Sequence, residues 1–160
     1  MLRDSGAASI KLIPLVEVAG KTSGSFYHHY TGIDEYLDDL AATYGTEHAN
    51  EAIAHAESPD PADRLRRLTK VLQGASFRPL DVAMRDWAGT SEGAAEAVQR
   101  FDEAIFDFME RAFEELGHDR AEARARSVLL FGIAVARMTP PWKGAGRSTE
   151  DALRLLLESG

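Results

Sequence analysis

The chain has no cysteine, so disulfides, thiolate zinc sites and cysteine nucleophiles are excluded together. It also lacks any apolar run near the ~20 residues that a membrane-spanning helix needs, and Met1-Leu2-Arg3-Asp4 opens no apolar signal stretch. A cytoplasmic location with no membrane partner is the expectation. Sustained two-residue alternation of apolar and polar positions, the mark of a half-buried strand, is missing. No nucleophile elbow or triad pattern appears, and the adjacent carboxylates Asp38-Asp39 and Glu114-Glu115 diverge on a helix instead of converging for acid-base work. The expectation is a protein that is not an enzyme and carries no cofactor.

Basic residues are scarce. The chain sets 18 Lys and Arg against 26 Asp and Glu, a net charge of −8, which argues against a surface that coats nucleic acid throughout. Residues 1–33 hold Arg3, Lys11 and Lys21 against Asp4 and Glu17, one net positive charge, which leaves −9 on residues 34–160. Any nucleic-acid contact is confined to the N-terminal end, on a thin electrostatic footprint.

What the sequence does have is helix, over 160 residues of which 44% are hydrophobic, enough for a buried core. Asp60-Pro61 pairs a capping acceptor with a proline suited to the first helical position, and predicts a helix from Pro61 to about Gly74. A second should run from Pro79 to about Trp87, and Thr90 or Ser91 should cap a long one ending at Gly117. Asp119 and Glu122 form a box that opens the next, which Pro140-Pro141 ends, and a last helix should start at Ser148 with Asp151 three residues on. In the long helix Phe101, Ile105, Phe108, Met109, Ala112, Phe113 and Leu116 follow three-and-four spacing and form one core stripe. Residues 128–137 and 153–157 are apolar around more of their circumference than one core face requires. A subunit interface built as a four-helix bundle from two copies would bury the surplus, with Ser127, Leu130, Phe131, Ala134, Leu153 and Leu156 as its expected contacts. Two helices central to a monomer core are the alternative. Trp142, after the proline pair, reads as an interface or surface anchor.

The N-terminal segment Ile10 to Tyr30 contains two short helical stretches around a glycine turn. Pro14 suits the first turn of one, Gly20 supplies the turn, and Thr22 can cap the second, expected from Ser23 to Tyr30. Thr22, Ser23, Gly24 and Ser25 give that helix small hydrogen-bonding groups at its start, fit for close approach to phosphates and base edges. Tyr27 and His28 extend the same face, whereas Phe26 and Tyr30 fall opposite as packing anchors.

Ala19-Gly20-Lys21-Thr22-Ser23-Gly24-Ser25-Phe26-Tyr27-His28-His29-Tyr30, followed by Asp34-Glu35-Tyr36-Leu37, resembles the recognition helix and following helix entry of TetR/AcrR transcription repressors. Ala83 to Ala88 around Trp87, Asp102-Glu103 and Ala121 to Phe131 resemble that family's ligand-binding and dimerising half. The resemblance implies an all-α protein in two parts. Residues 1–33 would be a truncated helix-turn-helix DNA-binding region and residues 34–160 a helical regulatory body for ligand binding and dimerisation. It implies a homodimer on double-stranded operator DNA, with a pocket in each body whose filling by an unknown small-molecule inducer shifts the spacing of the two recognition helices. By matching position Thr22, Ser23, Ser25, Tyr27 and His28 would face DNA, with Gly24 admitting the backbone.

The chain departs from the family pattern at Lys21, where a packed valine is usual, and at Ile33, where a phosphate-binding Lys or Arg is usual. Gly6 matches the glycine ending the family's first helix, so most of that helix would be missing, from a late start assignment or a shortened protein. Ile10, Leu12, Leu15, Val16 and Phe26 would then be partly exposed or repacked. Two functional readings follow: a ligand-responsive repressor, or a ligand-binding and dimerising module without effective DNA binding.

Other patterns weigh less. Gly20-Lys21-Thr22 imitates the end of a phosphate-binding loop, but its first glycine would fall on Leu15. His48, Glu51 and His55 lie near one helix face, yet two histidines and a carboxylate are a sparse set, and no metal is expected. Tyr44, His48, Phe77, Met84, Trp87 and Phe101 could line a mostly apolar ligand pocket or simply fill the core.

Overall fold

The structure, a computed structural model, describes residues 1–2, 6–135 and 145–157, and every regular element among them is helical. After a 3₁₀ turn at Ala7–Ser9 come α1 (Leu12–Val18), α2 (Ser23–Tyr27), α3 (Ile33–Thr43), a π-helical turn (Tyr44–His48) and α4 (Ala49–Ala56). Then follow α5 (Pro61–Gln73), α6 (Arg78–Ala88), α7 (Glu92–Glu115), α8 (Arg120–Ala134) and α9 (Ala145–Leu157). Among the described residues no helix is long and apolar enough to cross a membrane.

The caps read from sequence are made. Asp60 accepts from the Ala62 amide with Pro61 at the first position of α5, Ser91 Oγ accepts from Ala94 at 3.3 Å, and Asp119 accepts from Glu122 at 2.9 Å. Gly117 adopts φ +96, which lets His118 donate back to the Phe113 carbonyl and closes α7. Two ends differ from expectation. α2 stops at Tyr27, short of Tyr30, whose amide still bonds the Phe26 carbonyl at 3.0 Å and whose hydroxyl donates to Asp39 at 2.8 Å. α9 begins at Ala145, three residues before Ser148, and Asp151 faces Arg154 along the helix. Pro140-Pro141 and Trp142 lie outside the described residues, and α8 already ends at Ala134.

The chain divides into two compact units. The first comprises Met1–His48 and Ala75–Phe101. Leu2, Ile10, Val16 and Phe26 are buried there. Leu12 and Leu15 are half-buried; Ile13 and Val18 are the exposed pair. Glu35 reaches back to the Thr31 amide and hydroxyl, a box that fixes the start of α3. The π turn widens the helix by a residue where it meets α7. A Cβ on Gly45 would stand 2.9 Å from the Ala97 carbonyl oxygen and 3.1 Å from its Cα, so glycine sets the closeness of that approach.

The second unit comprises Ala49–Gly74 and the chain from Asp102. Leu65, Leu68 and Leu72 of α5, Ile105, Phe108, Met109, Ala112 and Phe113 of α7, and Ala123, Ser127, Leu130 and Ala134 of α8 form its interior. α5 packs on α4 and on α8, and Gln73 donates to the Ile133 carbonyl at 3.2 Å. At the surface Arg64 pairs with Glu115. Arg126 bonds the Glu122 carboxylate at 2.8 and 2.9 Å and reaches the Leu156 carbonyl, joining α8 to α9. The Arg64 hydrogen bond holds the Glu115 carboxyl below the usual glutamate range; Arg126, helped by His118, does the same for Glu122.

Gly45→Ala should therefore destabilise the fold by about 1–3 kcal/mol, since backbone must move to admit the methyl. Urea denaturation measures this, and an unchanged midpoint would show that the contact yields freely. A carboxyl lowered in the folded state contributes stability above its unfolded value, about 4.3 for glutamate, and that contribution fades as pH falls through the folded value. The melting temperature should accordingly drop below about pH 4.3. Glu115→Gln with Glu122→Gln should lower it at neutral pH and flatten that drop; parallel melting curves for variant and wild type would contradict the assignment.

Candidate nucleic-acid interface and ligand groove

α1 and α2 are joined by a turn in which Gly20 takes φ +63 and Lys21 donates its amide to Val16 at 2.8 Å. Thr22 then caps α2, its Oγ1 accepting from Ser25 at 3.2 Å. This geometry sorts the side chains of the short helix. Thr22, Ser23, Gly24, Tyr27 and His28 face solvent and Ser25 is half-buried. Phe26 is buried, its ring centroid 5.3 Å from Tyr30 and 6.0 Å from Tyr36, so this aromatic trio fixes α2 on α3. Tyr27 keeps 59% of its surface exposed, a large aromatic on an otherwise small polar face. The His28 and His29 rings are neighbours, centroids 5.2 Å apart and nearly perpendicular.

The two departures from the family pattern find simple places. Lys21 is exposed, so its ammonium needs no burial where a packed valine is usual. Ile33 is the half-buried first residue of α3 and leaves that helix start without a cation. Glu17 is exposed on α1 as well. The face offered by this region is polar and aromatic, with little positive charge.

The six residues expected to line a pocket are all in the first unit, in two settings. Tyr44 stacks on Phe101 at 5.0 Å, His48 lies almost parallel to Phe77 at 3.8 Å, and Phe77 sits 5.9 Å from Phe101. Met84 is fully buried. Trp87 instead is half-buried on another face of α6 and borders an open groove of about 550 Å³. Leu37, Pro79, Val82, Ala83 and Thr90 line the groove with it, Leu2, Gly6 and Ala7 form a further wall, and Asp86 is its charged residue.

Sequence reasoning missed the polar centre of the ring cluster. Asp81 is buried, accepts from the Tyr44 hydroxyl at 2.8 Å and is paired with Arg85 Nε at 3.0 Å. The Asp81/Arg85 spacing of four was visible in the sequence, but the partnership with Tyr44, 37 residues away, was not. His48, weighed above as a metal ligand, is engaged in the ring stack, and among the described residues no group of three metal-ligating side chains converges.

In the second unit, Ser127, Leu130 and Ala134 of the expected interface are buried, while Phe131, Leu153 and Leu156 are half-buried. The large apolar side chains that face outward on α8 and α9 are Val128, Leu129 and Leu155, each 56–63% exposed.

No protein-family model matches the chain, and no curated protein matches it. The fold is similar to a crystal structure of SCO7518 of Streptomyces coelicolor A3(2), a protein provisionally named a transcriptional regulator. That match has a TM-score of 0.68 at 16% sequence identity and covers 99% of this chain and 92% of the other. At that identity the likeness is one of fold.

Proposed function

We propose that this chain is a ligand-responsive DNA-binding transcriptional regulator of the TetR type, acting as a homodimer with α2 in the major groove. The observation that carries the reading is the sorting of α2: Phe26 buried as the anchor, and Ser23, Gly24, Tyr27 and His28 presented outward from a capped start. The name of the protein with the similar fold supports it. Two copies would set two such helices into successive grooves, reading a site with two-fold symmetry.

The residues divide the labour by their chemistry. Thr22 accepts from the Ser25 amide, which leaves its hydroxyl proton to donate and its methyl for an apolar contact such as a thymine methyl. Ser23 and His28 supply hydrogen bonds, Ser25 contributes from a partly covered position, and Gly24 lets backbone come near a phosphate. With Lys11 and Lys21 as the exposed cations among the described residues of the region, a dimer neutralises few phosphates. If each copy uses both, the salt slope is about −4.

The sparse positive charge also favours a second reading, a ligand-binding and dimerising module without effective DNA binding. Selection from a pool of random duplexes at low salt separates the two. The repressor reading expects an enriched inverted repeat and a loss of about tenfold or more in affinity for Tyr27→Ala, with the circular dichroism of the wild type retained. No enrichment at low salt would leave the second reading standing.

The dimer is assigned to α8 and α9, whose outward Val128, Leu129 and Leu155 would meet their counterparts. Sedimentation velocity should give twice the chain mass. Leu129→Glu with Leu155→Glu should reduce it to one chain without loss of helical signal; a monomeric wild type would refute the assignment.

A further inference from the structure

We propose that His28 and His29 serve as phosphate-binding cations at the end of α2, so that DNA binding by this chain takes up protons and strengthens as the pH falls from about 8 to about 6. The inference rests on the reading of α2 as a DNA-facing helix and concerns how that helix is regulated.

The starting point is a shortage of fixed positive charge. Among the described residues 6–33 the lysines are Lys11 and Lys21, both exposed, with no arginine beside them, and Glu17 opposes them. Against that shortage stand two of the chain's five histidines, side by side where α2 ends. Both side chains are exposed, and their ring planes stand 76° apart, so the imidazoles offer their N–H groups in different planes. A neutral imidazole carries one N–H donor, whereas the protonated ring carries two and a full charge.

The elements packed on α2 supply the other charged groups. α1 carries Glu17, with Lys11 before it and Lys21 after it. From α3, Glu35, Asp38 and Asp39 line an open recess together with His29 and Tyr30, and Asp34 is exposed at the start of the same helix. His29 therefore borders the acidic face of α3. Uncharged, it leaves those carboxylates to repel an incoming phosphate; protonated, it sets a cation beside them. Glu35, held below the usual glutamate range by the Thr31 amide and hydroxyl, stays charged at neutral pH. Tyr30, pushed above the usual tyrosine range by its bond to Asp39, stays neutral. Histidine is the side chain whose charge ordinarily changes between about pH 5 and 8. A phosphate oxygen beside an imidazole favours the protonated ring, so the complex holds more protons than its separated parts. Affinity accordingly rises as pH falls through the titration of the bound imidazole, and levels off below that of the free one. Four protonated imidazoles in a dimer would add to four lysines, steepening the salt slope from about −4 to about −7.

The test follows binding of the full chain by fluorescence anisotropy to two duplexes of equal length. One carries the inverted repeat that selection enriches at either pH, and the other is scrambled. The proposal expects an affinity for the selected duplex at least about tenfold higher at pH 6 than at pH 8, with the steeper salt slope at pH 6. Calorimetry near pH 7 in two buffers of different ionisation heat should show net proton uptake by the wild type. His28→Gln with His29→Gln should remove the pH dependence. His28→Lys with His29→Lys should bind at pH 8 at least about tenfold tighter than the wild type. His55→Gln, at an exposed histidine of the second unit, should leave the pH dependence intact, which separates a local effect from the overall charge of the chain. Melting curves establish that the variants are folded, and the proton uptake of the wild type needs no variant. Equal affinity at the two pH values, no proton uptake, or an unchanged pH dependence in the glutamine pair would each overturn the proposal, while preference for the selected duplex would keep the repressor reading. A pH effect without that preference would uphold the proton linkage and count against the repressor reading. Binding to neither duplex at either pH would overturn both.

Discussion

A buried carboxylate governs the first unit. Taking Asp81 out of water costs several kcal/mol unless its charge is met, and two groups meet it: the Tyr44 hydroxyl at 2.8 Å and Arg85 Nε at 3.0 Å. Arg85 comes from the next turn of the same helix and needs no special arrangement. Tyr44 must be delivered from a different helix. The π turn at Tyr44–His48 rotates Tyr44 to Asp81 and His48 to Phe77 in one step, and it brings the backbone at Gly45 against Ala97. The polar contact, the ring stack and the glycine are thus one solution to a single desolvation problem. The open groove along Trp87 is a consequence, because α6 turns its Asp81 and Met84 positions inward and leaves a separate stripe uncovered.

The N-terminal pair of helices follows a different logic, in which a short element is held by aromatic packing more than by its own hydrogen bonds. Five residues of helix are far below the length that is stable alone. Phe26, Tyr30 and Tyr36 supply what propensity cannot, and the Tyr30 hydroxyl bond to Asp39 closes the chain onto α3. Once α2 is anchored by one face, the small residues of its other face are displayed without side-chain bulk.

Much of the fold was legible because helix ends are local. Asp60-Pro61, Ser91, Asp119 and Gly117 announce their caps within four residues, and the structure makes each of them. The π turn was not legible: the partner of its first residue, Tyr44, is Asp81, 37 positions away. The end of α2 was not legible either, since the partners of Tyr30, the Tyr36 ring and the Asp39 carboxylate, belong to α3. The aromatic residues at 44, 48, 77 and 101 could be gathered by type, but whether such a group encloses space or fills it depends on ring orientation. On α8 the difficulty was one of phase. A helix apolar on most sides carries no contrast to show which residues turn inward, so Ser127 and Leu130 could not be told from Val128 and Leu129 by pattern.

The guanidinium of Arg126 joins two helices that the sequence marks only as greasy. It holds Glu122 on its own helix and the carbonyl of Leu156 near the end of the other. That carbonyl is one of the last four on α9, which have no acceptor role within the helix. Sliding α9 by a turn would break a charge-assisted bond and strand a polar oxygen, whereas apolar side chains alone would tolerate the slip. The outward positions on the two helices consequently stand in a fixed mutual spacing before anything touches them. A surface already assembled in this way asks less conformational entropy of whatever binds it than two greasy rods free to shear.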